Sequence, residues 1–412
     1  MEKSRKLILK GKFLDGISNK PTENGMIEIM NKTISYVGKE RKIDKLSGDI
    51  NIIEGETIMP GMIDCHQHFH QNGEPDQQKI WIWTNMASLA IKATIYAKIE
   101  LESGFTTVRA MGDPGDLGVS LRNAINEGIF KGPRILTCGQ PLSITGGHGT
   151  HLPTWIQNSD FISTIFADGV EEVRKAVRYL IGTRVDLIKL LVTGGCMDIS
   201  SEPGVQNYNY EEIDVAVREA HKFGRKVGVH VEGLSGLKDA IKAGVDTIEH
   251  GFDLNEEAIQ IMKEKNIYLI PTLFAGHNIV KHGTESGIPE YAIIKAKKTL
   301  EKGVRSFINA YKNGVKIAMG SDIGTPFFPH GEAAKELESM VNCGMSNFDA
   351  ILAVTKNASE VLGINDKVGT IEKGKMADLL VLNEDPLKDI TILQKKDCIK
   401  AVIKEGDIIL LR

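Results

Sequence analysis

The chain has 412 residues, 42% of them hydrophobic and 25% charged, with a formal net charge of −4, which is enough soluble chain for one large domain and a smaller module. With a pI near 6.3 and no block of like charge, the composition speaks against nucleic acid or an anionic membrane as partner and for a small-molecule substrate. Cys65, Cys138, Cys196, Cys343 and Cys398 are widely spaced and form no CxxC pair, a pattern of buried thiols in a reducing compartment and not of a disulfide framework.

The opening MEKSRKLILKGKFLDG is charged and then strand-like, without an apolar signal core, and no later stretch reaches the roughly 18 apolar residues of a spanning helix. The expectation is a cytoplasmic protein with no membrane partner. From Lys6 to about Met59 short apolar runs (Leu7 to Leu9, Met26 to Ile29, Ile34 to Val37) alternate with turn residues such as Asp15-Gly16, the rhythm of small strands. The middle of the chain changes to a short apolar run, a loop and a helical pattern, repeated over some three hundred residues, which predicts parallel strands with crossover helices. Eight strands are expected: Met62–Phe69, Phe105–Met111, Arg134–Leu142, Asp186–Gly195, Lys226–Gly233, Thr247–Phe252, Tyr268–Phe274 and Lys316–Asp322. Asn209 and Glu212 form a capping box, and Ile213, Val217, Ala220 and Phe223 recur behind it on one helical face. Two segments interrupt the rhythm, Gln71–Ala97 with Trp81 and Trp83, and the Gly- and His-containing Ala275–Ile288; as loops after barrel strands they are candidates for substrate contact, a lid or an oligomer contact. After residue 364 the strand-and-turn rhythm of the start returns in Ala377–Leu382 and Ile399–Ile403. The expected fold class is therefore α/β: a (β/α)8, TIM-like barrel over residues 61–364, with a small β-sandwich domain formed by both termini, 1–60 plus 365–412.

Metal-type side chains fall at one end of the expected strands. His66 and His68 end the first, Lys189 lies in the fourth, His230 in the fifth, His250 in the sixth and Asp322 at the end of the eighth. Alternate strand residues point the same way, so His66-Gln67-His68 places two imidazoles on one side as a chelating pair. Four histidines and an acid at the same end of neighbouring strands point to a metal site. Lys189, in the apolar run Asp186-Leu187-Ile188-Lys189-Leu190-Leu191, reads either as a buried lysine paired with an acid from another strand or as a desolvated, neutral amine able to take up carbon dioxide.

Pro60-Gly61-Met62-Ile63-Asp64-Cys65-His66-Gln67-His68, Asp186-Leu187-Ile188-Lys189, Val229-His230, Ile248-Glu249-His250-Gly251, Gly320-Ser321-Asp322 and Gly374-Lys375-Met376-Ala377-Asp378-Leu379 together resemble the amidohydrolase superfamily over nearly the whole chain. Thr145-Gly146-Gly147-His148, and Val192-Thr193-Gly194-Gly195 after the lysine, resemble its imidazolonepropionase-like branch, which includes Xaa-Pro dipeptidases (prolidases) and arginine or lysine carboxypeptidases. The resemblance implies two divalent metal ions, usually zinc, bridged by an N6-carboxylated Lys189, with His66, His68 and Asp322 completing one site and His230 and His250 the other. It also implies a homo-oligomer.

On that reading a bridging hydroxide attacks an amide carbonyl. Asp322 takes its proton and passes it to the leaving nitrogen, and His148 stabilises the oxyanion. His151, near His148, and Glu232, two residues after His230, are expected at the substrate. An acid at Glu232 repels a free carboxylate unless a cation neutralises it. Arg109, at the end of the second strand, is either that cation or a member of a structural ion pair. The leading expectation is a dipeptidase-like or N-acyl-amino-acid amidohydrolase. The alternatives are a hydrolase of cyclic amides or other small nitrogenous compounds and, more remotely, a non-catalytic metal-bound scaffold.

Overall fold

The computed structural model describes residues 6–18, 20–42, 50–151 and 163–412, and the side chains of Ile80 and Trp81 lie outside that description. The alternating starts of the sequence become β1 (Lys6–Phe13), β2 (Thr22–Met30), β3 (Thr33–Lys39) and β4 (Ile50–Pro60). The parallel strands follow as β5 (Met62–Gln67), β6 (Phe105–Ala110), β7 (Arg134–Thr137), β8 (Leu142–Ser143), β9 (Ile165–Phe166), β10 (Leu187–Leu191), β11 (Lys226–Val231), β12 (Thr247–His250) and β13 (Tyr268–Ile270), and the chain closes with β14 (Leu379–Leu382), β15 (Ile399–Lys404) and β16 (Asp407–Leu411).

The fold is α/β with parallel sheets. β5, β6 and β7 form one sheet and β13, β12, β11, β10, β8 and β9 another, every pairing parallel. These strands are buried along their whole length where they carry the site, as in β5, β10 and β12, which is why they read as continuous apolar runs and not as alternation. Segment 316–323 forms no extended strand but bonds to both sheets. Leu269 N donates to Lys316 O at 3.0 Å, Cys65 N to Met319 O at 3.0 Å and Asp322 N to His66 O at 2.8 Å. On the other side Asp186 N donates to Thr137 O at 2.8 Å. The expected third strand, Arg134–Leu142, is thus divided between β7 and β8, and the eighth is reduced to isolated bridges at Ile317 and Ile323.

Both termini share one seven-stranded sheet in the order β16-β15-β14-β4-β1-β2-β3, where a two-layer sandwich was expected. Its buried side, with Leu9, Ile27, Ile58, Val381 and Ala401, forms a hydrophobic cluster of its own. β4 runs through Gly61 directly into β5, and a buried ion pair from Arg134 on β7 to Asp378 beside β14, 2.6 Å, ties the terminal sheet to the parallel one.

The helix Tyr210–Lys222 has its capping box, with Glu212 N at 3.0 Å from Asn209 Oδ1 and Asn209 N at 2.9 Å from Glu212 Oε2. Ile213, Val217 and Ala220 are buried there, but Phe223 sits at the C-cap and is half exposed. Both interrupting segments are helical and not loops. The first holds helices Gln77–Trp83 and Met86–Glu102, and the second the helix Leu273–His282. Among the described residues no helix is long and apolar enough to cross a membrane.

Candidate metal centre and substrate cavity

The parallel strands deliver their C-terminal ends to one cavity of about 140 Å³. His66, His68, His148, His151, Lys189, His230, Glu232, His250 and Asp322 all line it. Both interrupting segments reach it as well, through Gln71 from the first and Ala275, Gly276 and Ile279 from the second.

Each histidine is held by one ring nitrogen, and the holder decides which lone pair is free. His66 Nδ1 lies 2.8 Å from Glu249 Oε2, and His68 Nδ1 2.8 Å from Gly112 O. An ionised carboxylate and a carbonyl only accept, so Nδ1 carries a proton in both rings; Nε2 of His66 is left as a base, while Nε2 of His68 faces the Asp322 carboxylate, which raises the His68 pKa against its burial. His250 Nδ1 is 2.7 Å from Thr272 Oγ1. His230 is reversed, its Nε2 facing Gly194 O at 3.4 Å, so Nδ1 is the nitrogen left free. The rings are adjacent, with centroids 5.1 Å apart for His66 and His250 and 4.5 Å for His230 and His250. Asp322 Oδ1 is 3.2 Å from His68 Nε2 and 3.7 Å from His66 Nε2. Among the described residues, His66, His68 and Asp322 are the group whose ligand atoms all lie within 4.8 Å of one another; His230 and His250 belong to the same cavity but not to that triad.

Local backbone is strained where these side chains are presented. His250, Thr272 and Asp322 have φ of 67°, 48° and 58°, a left-handed conformation that is a genuine outlier for a β-branched residue such as Thr272. Glycine makes room for two of the rings. A Cβ on Gly320 would lie 2.8 Å from His66 Cβ, and one on Gly195 would lie 2.6 Å from His148 Cε1.

Burial sets the electrostatics. It pulls His66, His230 and His250 down, His250 to about 3, so all three are neutral bases at pH 7. Burial likewise lowers Lys189 to about 8. Asp322 resists its own burial because His68, His66 and His250 surround it, and it is held far below the usual carboxylate range. Burial raises Glu232 to about 8, so at neutral pH it presents largely a carboxylic acid. Burial also lowers His151 to about 3. His148 opposes its burial with Asp198, whose Oδ2 lies 2.8 Å from His148 Nδ1, and is raised as a result.

Arg109 stands apart from this cavity. It is buried behind it, clasping Glu249 at 2.8 and 2.9 Å and donating to Thr247 Oγ1 at 3.2 Å and to Cys65 O. It does not neutralise Glu232; it neutralises the carboxylate that orients His66. Three positions carry roles that sequence reasoning left unassigned: Glu249 behind His66, Thr272 behind His250 and Asp198 behind His148. The first had a signal, since a buried acid beside a strand histidine needs a partner; Asp198 lies in a loop with no periodicity to mark it.

A model of the amidohydrolase family matches residues 57–409. The chain is 32% identical to ochratoxinase of Aspergillus niger, over 97% of this chain and 85% of that protein. It is similar to a solved Xaa-Pro dipeptidase with methionine bound in its active site, TM-score 0.90 at 36% identity, covering 98% of this chain and 99% of the other. A prolidase complexed with N-methylphosphonate-L-proline gives TM-score 0.90 at 29% identity, covering 99% and 100%.

Proposed function

The chain belongs to the amidohydrolase family and is a hydrolase acting on carbon–nitrogen bonds, and from that premise we propose that it cleaves the amide of a dipeptide or an N-acyl amino acid with the help of two divalent metal ions. The observation that carries this reading is the set of four imidazoles, each fixed through one nitrogen, around one cavity that also holds Lys189 and Asp322, whose carboxylate already meets the second nitrogen of His68 at 3.2 Å. That donor chemistry fits metal: imidazole nitrogens and an ionised oxygen, with the far sides of the rings tied. His66, His68 and Asp322 would hold one ion and His230 and His250 the other, with an N6-carboxylated Lys189 between them. Zinc or a similar ion supplies Lewis acidity at the amide carbonyl and a hydrolytic nucleophile at neutral pH.

The chain's own groups supply the rest. A Lys189 amine near pKa 8 has an appreciable neutral fraction at pH 7, and that nitrogen can bond to carbon dioxide with release of a proton. The Asp322 carboxylate accepts a proton as the nucleophile adds and returns it to the amide nitrogen, which leaves as an amine. Asp198, bonded at Nδ1, favours the protonated form of His148, and in that form its Nε2–H can donate toward the oxygen that gains charge. Burial, which raises Glu232 to about 8, weakens the repulsion of a substrate carboxylate that its sequence position suggests, and amino-acid substrates remain the favoured class.

The same reading joins the two parallel sheets and segment 316–323 into one (β/α)8 barrel, residues 61–364, with 1–60 plus 365–412 as the second domain. The test is amino-acid release from dipeptides and N-acyl amino acids, by protein loaded with zinc in bicarbonate. Selective release is expected. No release from protein holding about two metals per chain overturns the amino-acid reading and directs attention to cyclic or cationic nitrogen compounds.

A further inference from the structure

The cavity lining is of two kinds. Beside the histidines and acids stands an apolar wall that includes Phe252, Leu273, Gly276, Ile279, Ala296 and Leu300. It comes mainly from the helix Leu273–His282 and the longer helix Glu290–Lys312. On the longer helix Thr299 Oγ1 lies 3.3 Å from both Lys295 O and Ala296 O and 3.5 Å from Cys196 Sγ, so its proton already has partners and the wall offers a charged substrate group little in place of its water.

The wall is also fixed. The buried Glu336 carboxylate accepts from Leu273 N at 2.8 Å and Phe274 N at 2.7 Å, capping the helix, while the preceding Thr272 holds His250 and Asn278 Nδ2 donates to Pro326 O at 3.0 Å. Wall and metal-side histidine are thus parts of one rigid unit. Gly276 faces the cavity from this helix, and a Cβ there would meet one atom within 4 Å, Leu300 Cδ1 at 3.7 Å. A side chain at 276 would therefore extend into the cavity and not into packed protein.

We propose that Gly276 sets the depth of an apolar subsite, walled by these two helices, that takes a leucine- to phenylalanine-sized side chain of the substrate. This rests on the amide-hydrolase reading above and names its substrate class. A rigid apolar pocket discriminates by size, a missing or surplus methylene being worth roughly 10- to 200-fold.

The experiment measures kcat/KM on N-acetyl-alanine, -leucine, -phenylalanine and -lysine with zinc-loaded wild type, Gly276→Leu and, from the other helix, Ala296→Leu, together with calorimetric binding of the same four compounds. The wild type should favour phenylalanine or leucine over alanine and lysine by about tenfold or more. In at least one variant that folds, the phenylalanine-to-alanine ratio should fall at least tenfold. A preference for lysine, or a ratio unchanged in both variants, overturns the subsite. Binding separates the two claims: if no compound is hydrolysed but the wild type binds phenylalanine selectively and Gly276→Leu does not, the amide reading fails and the subsite stands. Hydrolysis without size selection is the converse result.

Discussion

Glu249 is shared between His66 Nδ1 and the Arg109 guanidinium, so one carboxylate orients a metal-type histidine and cancels a buried cation. Replacing it with Gln should leave Arg109 buried and unpaired, destabilising the protein by about 3 kcal/mol, and should weaken metal binding some 10- to 100-fold. Denaturant unfolding and chelator competition measure the two separately; a change in one alone would mean that the shared role is wrong. Asp322→Asn should retain much of its metal and lose about 10²- to 10⁴-fold in kcat, read by metal analysis and steady-state kinetics, and near-normal turnover would remove Asp322 as proton carrier. The Asp198–His148 pair predicts a pH window. Asp198, held at about 2 against an ordinary 3.8, contributes stability present above pH 3.8 and lost as pH falls toward 2. His148, raised above 6.5, contributes stability present below pH 6.5 and lost as pH climbs past its folded value. The Tm gap between wild type and Asp198→Asn should therefore be widest from about pH 4 to 6.5. Legibility at this scale followed local order. His66 and His68 were readable because they stand two residues apart at the end of one apolar run, His68 just past β5, whereas the partner of Arg109 stands 140 residues away, and no spacing rule reaches that far.

Among the elements, the strands that carry the site were the readable part, because burial on both faces leaves an uninterrupted apolar run ended by polar residues. Their boundaries were overextended where the backbone turns left-handed, at His250 and Asp322, since a residue in that conformation cannot continue the strand. The interrupting segments were misread as loops because their helices draw stability from tertiary contacts. Met86–Glu102 is apolar on several sides, with Leu89, Ala93 and Ala97 buried but Ile91 and Ile95 more than half exposed, so no single stripe declares it. Leu273–His282 is held by Glu336, which arrives from a helix some sixty residues later. Glu336→Ala should strand two buried N–H groups and lower stability by about 2–4 kcal/mol. The loss should appear as early hydrogen exchange in residues 273–282, and uniform exchange across the chain would contradict the cap.

For the molecule as a whole, the sequence divided terminal strands from parallel core but not how they connect. One continuous terminal sheet replaces two layers because β1 and β4 pair in parallel at its centre, a long-range pairing with no local turn to announce it. Metal should stabilise the entire folded chain, since the unfolded chain holds no assembled donor set. Exhaustive chelation should lower Tm by several degrees and abolish turnover, with zinc restoring both; a Tm indifferent to metal would mean that the donors do not bind it in the folded state.

The path from β4 through Gly61 into β5 bears on how the protein is made. β4 is gripped on its far side by β14, and β14 to β16 leave the ribosome some three hundred residues after His66 and His68. The histidine pair therefore emerges early, just past a strand whose far-side partner is translated last. A nascent chain would expose this histidine pair long before Asp322, the third member of the group, is translated. If the group binds metal as proposed, synthesis order, and not affinity alone, bears on which cation the pair meets first.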